Sequence, residues 1–335
     1  MYEKFYGFAE KPFNTTPDSK FFFPSAKHTE ALNSLVYAIS ERKGFVVITG
    51  EIGAGKTTVS RTLLNKLEVN TKVAVITNTH LTARELISEI LSEFGVEYKS
   101  GSKQKLLSQL NDFLIQQLAA DINVVLIIDE AQNLTPTVLE EVRMLSNLET
   151  EKEKLIQIIL MGQPQLKAKL ENPKLEQFKQ RIAVYYHLRP LSKNETAEYI
   201  IHRLKTVSNN GVEQIFSEEA IELIYNHSTG IPRIINLVCD SALLSGYIYD
   251  CKKINDKIIC EVIKERELSA NTLEIIEEVK ETAQPPKIFC CVHCQKYAKC
   301  ETKWDRGIKG QEQLCCPTCH SYTSCVENTK KIKLN

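Results

Sequence analysis

The sequence lacks a net charge, a long apolar run and a signal peptide. Its 42 basic residues equal its 42 acidic residues, so the chain as a whole does not indicate a polyanionic partner, although local basic patches remain open. No apolar run approaches the roughly 18 residues that a membrane span needs, and the N-terminal residues lack the basic-then-apolar layout of a signal peptide. We therefore expect a cytoplasmic protein with no membrane insertion.

Cysteine is scarce over most of the chain. Eight of the eleven cysteines lie within residues 290–325, and such crowding in a cytosolic chain indicates metal binding rather than disulfides. We expect the three others, Cys239, Cys251 and Cys260, to be small core residues.

Short apolar runs alternate with helical patterns over the first 190 residues or so. This alternation is typical of a mainly parallel sheet that helices cover on both faces, so the predicted fold class is α/β. The strand candidates are Phe45–Thr49, Val73–Thr77, Val124–Ile128, Ile156–Met161 and Val184–Leu188. Helices are predicted over residues 29–43 and after the start signals Thr82 with Glu85 and Thr135 with Pro136.

Only helical patterns follow residue 191. Helices are predicted to start at Ser192 with Glu195, at Ser217, at Pro232 and at Asn255, and the last ends near Leu268. The predicted domains are an α/β core (1–191), an all-helical unit (192–268), a polar linker (269–286), a cysteine-rich module (287–327) and a basic tail (328–335).

A phosphate-binding pattern directly follows the first strand. Residues 50–57 read GEIGAGKT, which matches GxxxxGK[ST] in the strand–loop–helix context that this motif requires. The backbone N–H groups of such a loop cradle phosphates, the lysine reaches the β- and γ-phosphates, and the threonine hydroxyl binds Mg²⁺. A chance match in a glycine-rich loop is the alternative. The candidate nucleotide-binding residues here are Gly50, Gly53, Ala54, Gly55, Lys56, Thr57 and Thr58.

A pair of carboxylates ends a second apolar strand. Asp129 and Glu130 follow Val124–Ile128, which places them at the carboxyl edge of the sheet, where ligands bind in open α/β folds. Asp129 suits Mg²⁺, with Thr57, and Glu130 suits the general base that activates water. Alone, such a pair is more often a solvated turn. The nearby glycine-rich loop favours the functional interpretation.

Two arginines are candidates for stabilising a transferring phosphoryl group. Arg181 precedes the last strand, and Arg233 opens a helix of the helical unit. Spacing alone does not distinguish either from an ordinary surface arginine.

Six motifs in order resemble one family of AAA+ ATPases. The segments TGEIGAGKTT, IIDEAQNLTPTVLEEVRMLSNLET, LMGQPQL, QRIAVYYHLRPL and GIPRIINLVCD, with the opening MYEKFYGFAEKPFNTTPDSKFFFPSAKHTEAL, are similar to the general secretion pathway protein A (ExeA) type. Its relatives include transposition ATPases of the TniB and TnsC kind. The resemblance covers residues 1–268.

This resemblance implies an AAA+ core, a helical lid and nucleotide bound between them. It also implies homo-oligomeric rings or filaments. Gln163 would then be the sensor that follows a core strand, Arg181 the arginine that enters the neighbouring subunit's site, and Arg233 the lid sensor. The N-terminal segment would pack near the adenine.

The cysteine-rich module repeats the pattern CCxxCxxYxxC at residues 290–300 and 315–325. Two CxxC pairs at this spacing are typical of a zinc ribbon, and the first-choice ligands are Cys291, Cys294, Cys316 and Cys319. Iron in place of zinc remains open because the spacing does not select the metal. Residues 287–335 carry a surplus of basic residues that is compatible with contact to nucleic acid or protein, or with a solvated face.

Three functions remain open from the sequence. The first is a nucleotide-switched regulator of DNA transposition or recombination, with DNA and a transposase or recombinase as partners. The second is an ATPase that assists assembly of a secretion or pilus machine. The third is a nucleotide-dependent scaffold with little hydrolysis. The expected cofactors are ATP, Mg²⁺ and Zn²⁺.

Overall fold

The computed structural model describes residues 1–99, 101–151, 153–208 and 214–268, without the side chain of Lys174. Residues 1–265 form one compact unit. The predicted linker, cysteine-rich module and basic tail lie outside the described residues, and so do Cys291, Cys294, Cys316 and Cys319.

Five parallel strands form the central sheet in the order β2-β3-β4-β1-β5. Their bounds are β1 Phe45–Gly50, β2 Thr71–Ile76, β3 Asn123–Ile128, β4 Gln157–Gly162 and β5 Ile182–Leu188. The three central strands are buried almost throughout, which explains why they read as continuous apolar runs. The predicted α/β class and all five predicted strands are confirmed, with bounds shifted by one or two residues.

Within the described residues, α-helices alternate with these strands and then continue without them. They are α1 Tyr2–Tyr6, α2 Ala26–Ser40, α3 Lys56–Leu64, α4 Ala83–Glu93, α5 Lys103–Ala119, α6 Pro136–Leu145, α7 Pro164–Leu170, α8 Glu176–Lys179, α9 Lys193–Val207, α10 Glu218–Ser228 and α11 Pro232–Ile248. A further helix, α12, covers 256–268.

The helix predicted over 29–43 runs from Ala26 to Ser40, and Pro232 begins α11 without a side-chain cap. Other predicted helix starts are present with their capping interactions. Thr82 with Glu85 and Ser192 with Glu195 each form a complete capping box, which satisfies free N–H groups at the first turns of α4 and α9. The Thr135 hydroxyl accepts a hydrogen bond from the Val138 N–H at the start of α6. Short polar signals therefore set these boundaries.

Two apolar layers sandwich the sheet. Alternate side chains of the strands face α4, α5 and α6 on one side, where Phe45 and Leu126 are buried. Their neighbours face α2 and α3 on the other side, where Ile48 and Ile127 are buried. In this sheet β4 lies between β1 and β3, so the carboxyl ends of β1 and β3 lie near each other at the same edge.

A third apolar cluster joins the N-terminal segment to the helical unit, which we call the lid. Phe13 packs edge-to-face on Phe216 at a centroid distance of 6.1 Å. The Tyr2 hydroxyl donates a hydrogen bond to Asp240 on α11. The first residues of the chain thus share the core of the lid, although they are far from it in sequence.

Of the three cysteines expected in the core, only Cys239 is buried; Cys251 and Cys260 are exposed. The expectation was wrong for these two because Cys251 follows the end of α11 in an exposed connection and Cys260 lies on an exposed face of α12.

The described part of the chain contains neither a membrane-spanning helix nor a cluster of metal-binding side chains. None of its helices combines the length and the apolar character needed to cross a membrane. It also contains no group of three or more His, Cys, Asp or Glu side chains placed to hold a metal ion. The cysteine-rich module lies outside that part.

Candidate nucleotide-binding site

The glycine-rich loop connects the buried strand β1 to the first turn of α3. Gly53 and Gly55 have φ angles of 80° and 98°, a region that L-residues with a Cβ rarely adopt. A Cβ on Gly53 would lie 2.4 Å from the Cβ of Arg233. Glycine is therefore required at Gly53 both for the turn and for the close approach of the lid.

The side chain of Lys56 lies inside the loop. Its Nζ donates hydrogen bonds to the carbonyl oxygens of Gly50, at 2.7 Å, and Glu51, at 3.0 Å. Burial lowers the pKa of Lys56, while the nearby carboxylates of Glu130, Asp129 and Glu51 act against this shift. The ammonium is thus held within the loop, where phosphates would lie.

Thr57 and Asp129 lie in contact, although 72 residues separate them in the sequence. The Thr57 hydroxyl donates a hydrogen bond of 3.3 Å to Oδ2 of Asp129. Burial raises the pKa of Asp129; the hydrogen bond from the Glu130 backbone N–H opposes this shift, and the negative charge of the Glu130 carboxylate adds to it to a smaller extent. A hydroxyl and a carboxylate in this position are hard oxygen donors of the kind that Mg²⁺ prefers, so the two residues fit the predicted magnesium site.

Glu130 has a left-handed backbone, with φ 51°, and its carboxylate is held by two amides. Oε2 accepts hydrogen bonds from Nε2 of Gln132 at 2.5 Å and from Nε2 of Gln163 at 3.3 Å. Oε1 of Gln132 in turn accepts the backbone N–H of Gln163 at 3.0 Å. The structure thus places Gln163 beside Glu130, and it adds Gln132, which sequence reasoning missed although it stands in the same DEAQ segment.

Arg233 lies against the glycine-rich loop at the first turn of α11. Its backbone N–H donates a hydrogen bond of 3.2 Å to the carbonyl oxygen of Gly53. The preceding turn depends on Gly230, with φ 78°, because a Cβ there would lie 1.8 Å from the carbonyl oxygen of Leu191. A tight backbone turn therefore sets the position of the lid arginine.

Arg181 lies at the opposite edge of the sheet from the glycine-rich loop of the same chain. It precedes Ile182, which pairs with Phe45 at the start of β1, whereas Gly50 pairs with Leu188 at the other end. This difference corresponds to about 20 Å along the strands. The Arg181 guanidinium contacts the Ser146 hydroxyl at 3.3 Å and shares a recess with Lys43. The structure does not bring it to its own chain's site.

A cleft of about 380 Å³ opens beside the loop, between the N-terminal segment and the lid. Phosphate-loop residues and Glu130 line one end. Several lining residues were not singled out from the sequence; they are Asn14, Thr15, Thr16, Pro17, Asp18, Phe21, Phe22, Phe23, Tyr199, Arg203 and Asn236. A cleft that is lined by both aromatic rings and polar groups and is continuous with a phosphate cradle can hold a nucleoside.

A buried arginine ties the N-terminal segment to the lid. Arg203, 5% exposed, donates hydrogen bonds to the carbonyl oxygens of Pro12, at 2.7 Å, and Asn14, at 3.2 Å. Its guanidinium also donates to the Tyr199 hydroxyl at 2.7 Å and lies 4.5 Å from the centroid of the Phe21 ring. These contacts hold the wall of the cleft in place.

A buried histidine contacts the loop from the other side. His28 on α2 is 6% exposed, and its Nε2 lies 3.0 Å from the carbonyl oxygen of Ala54. Its Nδ1 lies 2.7 Å from the Ser25 hydroxyl. Burial lowers the pKa of His28, against smaller effects of the Ala54 hydrogen bond and of Glu195. His28 lies in the N-terminal segment that carries the family resemblance, but sequence reasoning gave it no role of its own.

Comparison with known proteins identifies the type of domain that contains this site. A family model described as an AAA domain matches residues 39–170. The chain contains an AAA+ domain. General secretion pathway protein A of Aeromonas hydrophila is 44% identical over 255 residues, which is 76% of this chain and 46% of that protein. The chain thus spans about half the length of this relative.

Solved structures share the fold of this AAA+ protein at low sequence identity. The ORC2 protein of Aeropyrum pernix, solved in ADPNP–ADP complexes, has a TM-score of 0.59 and 13% identity, and the match covers 98% of this chain and 91% of that one. Cdc6p of Pyrobaculum aerophilum has a TM-score of 0.56 and 18% identity, covering 94% and 90%. These likenesses confirm the AAA+ architecture of core and helical lid.

Proposed function

We propose that this AAA+ protein binds ATP with Mg²⁺ in the cleft and hydrolyses it. The observation that carries the proposal is the 3.3 Å contact between the Thr57 hydroxyl and Asp129, with the Lys56 ammonium held in the adjoining loop. These groups follow the carboxyl ends of two strands, β1 and β3, that are not neighbours in the sheet. Because these groups meet at one edge of the sheet, they form a single site for a magnesium–triphosphate complex.

The residues around this site have different roles in binding and hydrolysis. The loop and the first turn of α3 (Gly50, Gly53, Ala54, Gly55, Lys56, Thr57 and Thr58) bind the phosphates, and Thr57 and Asp129 hold the metal. When bound, Mg²⁺ neutralises charge on the phosphate oxygens. Glu130 accepts a proton from the attacking water, and Gln163 and Gln132 orient its carboxylate. Arg233 approaches the phosphates from the lid and stabilises their charge.

A phosphate-release assay on three forms of the full chain tests hydrolysis. Glu130→Gln keeps the shape of the side chain but cannot accept a proton, so we expect at least a hundredfold lower rate with nucleotide binding retained. Lys56→Ala loses the ammonium in the loop and should abolish binding. Equal rates for the native protein and Glu130→Gln would exclude Glu130 as the base and favour the scaffold hypothesis.

We further propose that the protein works as a homo-oligomer in which Arg181 completes the neighbouring subunit's site. Its position at the opposite edge of the sheet from its own glycine-rich loop supports this arrangement, because an arginine about 20 Å away cannot reach its own nucleotide. An arginine supplied by another subunit stabilises the charge on the transferring phosphoryl group.

For the biological process, the relative favours assembly of a secretion machine. The 44% identical Aeromonas hydrophila protein is named for the general secretion pathway. The alternative is a regulator of DNA transposition or recombination, and the comparisons add no support for DNA or a transposase as partner. Pull-down of secretion or pilus assembly proteins from a membrane extract supports the first process. Nucleotide-dependent DNA binding in a gel shift, without such capture, supports the second.

We propose that Cys291, Cys294, Cys316 and Cys319 bind one Zn²⁺. The support is the spacing of two CxxC pairs in the sequence. Elemental analysis of the purified full chain should give one zinc per chain, and Cys291→Ser with Cys316→Ser should remove it. Iron in place of zinc, with a visible absorption band, would correct the metal but keep the site. A metal-free native protein would refute the site.

A further inference from the structure

We propose that His28 is a positioning residue that orients the phosphate-binding loop for nucleotide. The inference rests on the proposed nucleotide binding, and it concerns a residue on α2 that lies outside the GxxxxGKT motif. Its basis is the contact between Nε2 of His28 and the carbonyl oxygen of Ala54, at 3.0 Å, inside the loop itself.

The two contacts of the imidazole ring define its tautomer. The Ala54 carbonyl oxygen can only accept a hydrogen bond, so Nε2 carries the proton and donates it. Nδ1 then accepts from the Ser25 hydroxyl at 2.7 Å. The Ser25 hydroxyl oxygen also accepts the backbone N–H of His28 as the N-cap of α2. Both ring nitrogens are thus used, and the ring has one orientation.

The carbonyl that His28 holds belongs to the same peptide unit as the Gly55 N–H. In a trans peptide the C=O and N–H bonds point in opposite directions. Since His28 draws the Ala54 carbonyl toward α2, the Gly55 N–H points away from α2. That N–H belongs to the loop whose backbone donors receive the phosphates.

The backbone conformation of Gly55 also makes the loop depend on the contact with His28. Gly55 has φ 98°. A glycine that nothing constrains leaves this conformation easily, because many other backbone conformations are open to it. A Cβ at Gly55 would lie 3.1 Å from Nε2 of His28, so the ring packs directly on this residue. The hydrogen bond and the close packing together keep the Ala54–Gly55 peptide in one orientation.

Two substitutions at His28 separate this contact from the rest of the packing. In His28→Gln the amide nitrogen can take the place of Nε2 and still donate to the Ala54 carbonyl. In His28→Asn the amide takes the place of Nδ1, so it reaches Ser25 but not Ala54. Both side chains are polar and neutral, which makes them a matched pair.

The measurement is equilibrium binding of a fluorescent ADP with Mg²⁺ to the full chain, followed by steady-state phosphate release. We expect His28→Asn to weaken binding about three- to tenfold, as for the loss of one neutral hydrogen bond. His28→Gln should stay within about twofold of the native affinity. In phosphate release, His28→Asn should raise KM and leave kcat within about twofold, because His28 touches no reacting atom.

The outcomes are distinguishable. Equal affinities for the native protein, His28→Asn and His28→Gln overturn the role of His28, and so does an equal loss in both variants. If His28→Asn does not fold, the affinity of His28→Gln compared with His28→Met, which has no donor, decides the same question. If the native protein itself binds no nucleotide, the proposed function fails, whatever the variants do.

Discussion

The hydroxyl of Thr57 and the carboxylate of Asp129 lie 3.3 Å apart, although one begins a helix and the other follows a strand elsewhere in the sheet. The contact joins the phosphate-binding loop to the acidic end of β3. Because both oxygens are hard ligands, their approach predicts a shared dependence on Mg²⁺.

Thr57→Ala and Asp129→Asn should each raise the Mg²⁺ concentration needed for half-maximal hydrolysis, by roughly tenfold or more. Thr57→Ser keeps the hydroxyl and serves as the matched control, with little change expected. A magnesium titration of phosphate release at saturating ATP provides the comparison. An unchanged titration for Asp129→Asn would contradict the metal site.

Gln132 offers a test of how the Glu130 carboxylate is oriented. Gln132→Ala removes the amide that donates to Oε2 of Glu130 at 2.5 Å and leaves the phosphate-binding loop untouched. We expect kcat to fall about tenfold with KM within about twofold, because a carboxylate that is free to rotate activates water less often.

The same assay on Gln163→Ala and on the double variant shows whether the two amides act together. If they hold one carboxylate, the double variant should lose less than the product of the two single effects. A rise in KM with kcat unchanged in Gln132→Ala would show that Gln132 binds nucleotide instead.

Local patterns in the sequence were enough to predict the sheet, the helix starts and the carboxyl edge. Buried strands are short apolar runs, and capping boxes such as Thr82 with Glu85 involve residues three apart. Parallel strands place Asp129 and the loop after β1 at one edge, whatever their separation in the chain. For these features, short-range chemistry and the rules of sheet topology carry the information.

The walls of the cleft could not be predicted in this way. Arg203 contacts Pro12 across 191 residues, and neither segment shows a pattern that pairs it with the other. His28 lies on the buried side of an ordinary amphipathic helix. Such contacts depend on how the N-terminal segment crosses the lid and the loop, which tertiary packing decides.

Arg203 should be important for stability as well as for the cleft. Arg203→Leu leaves the carbonyl oxygens of Pro12 and Asn14 without this donor and removes a buried cation from the Phe21 ring, so we expect a loss of about 2–4 kcal/mol in the free energy of unfolding. Urea denaturation measures this value. Arg84→Leu, at an exposed position on α4, should change it by no more than about 0.5 kcal/mol.

The buried imidazole of His28 predicts a loss of stability in mild acid. Burial lowers the pKa of His28 in the folded state, so the unfolded chain binds the proton more readily. The stabilisation from the neutral ring is therefore complete above about pH 6.5, the ordinary pKa of histidine, and declines as the pH falls below it.

Thermal unfolding of the native protein and of His28→Gln between pH 7.5 and 5.5 isolates this contribution. The glutamine does not titrate, so the decline toward pH 5.5 should be smaller in the variant than in the native protein. Identical declines would mean that other groups cause the pH dependence.

Arg181 gives the sharpest test of assembly, because its role depends on a second subunit. Arg181→Ala should bind nucleotide normally but hydrolyse it at a rate as low as that of Glu130→Gln. When the two inactive variants are mixed in equal amounts, sites that combine Glu130 from one variant with Arg181 from the other should restore about a quarter of the native rate, since random neighbours supply both groups at that frequency. Lys43→Ala changes the same recess and should keep activity when unmixed. If the mixture stays inactive while the variants assemble together, Arg181 does not act on a neighbouring site.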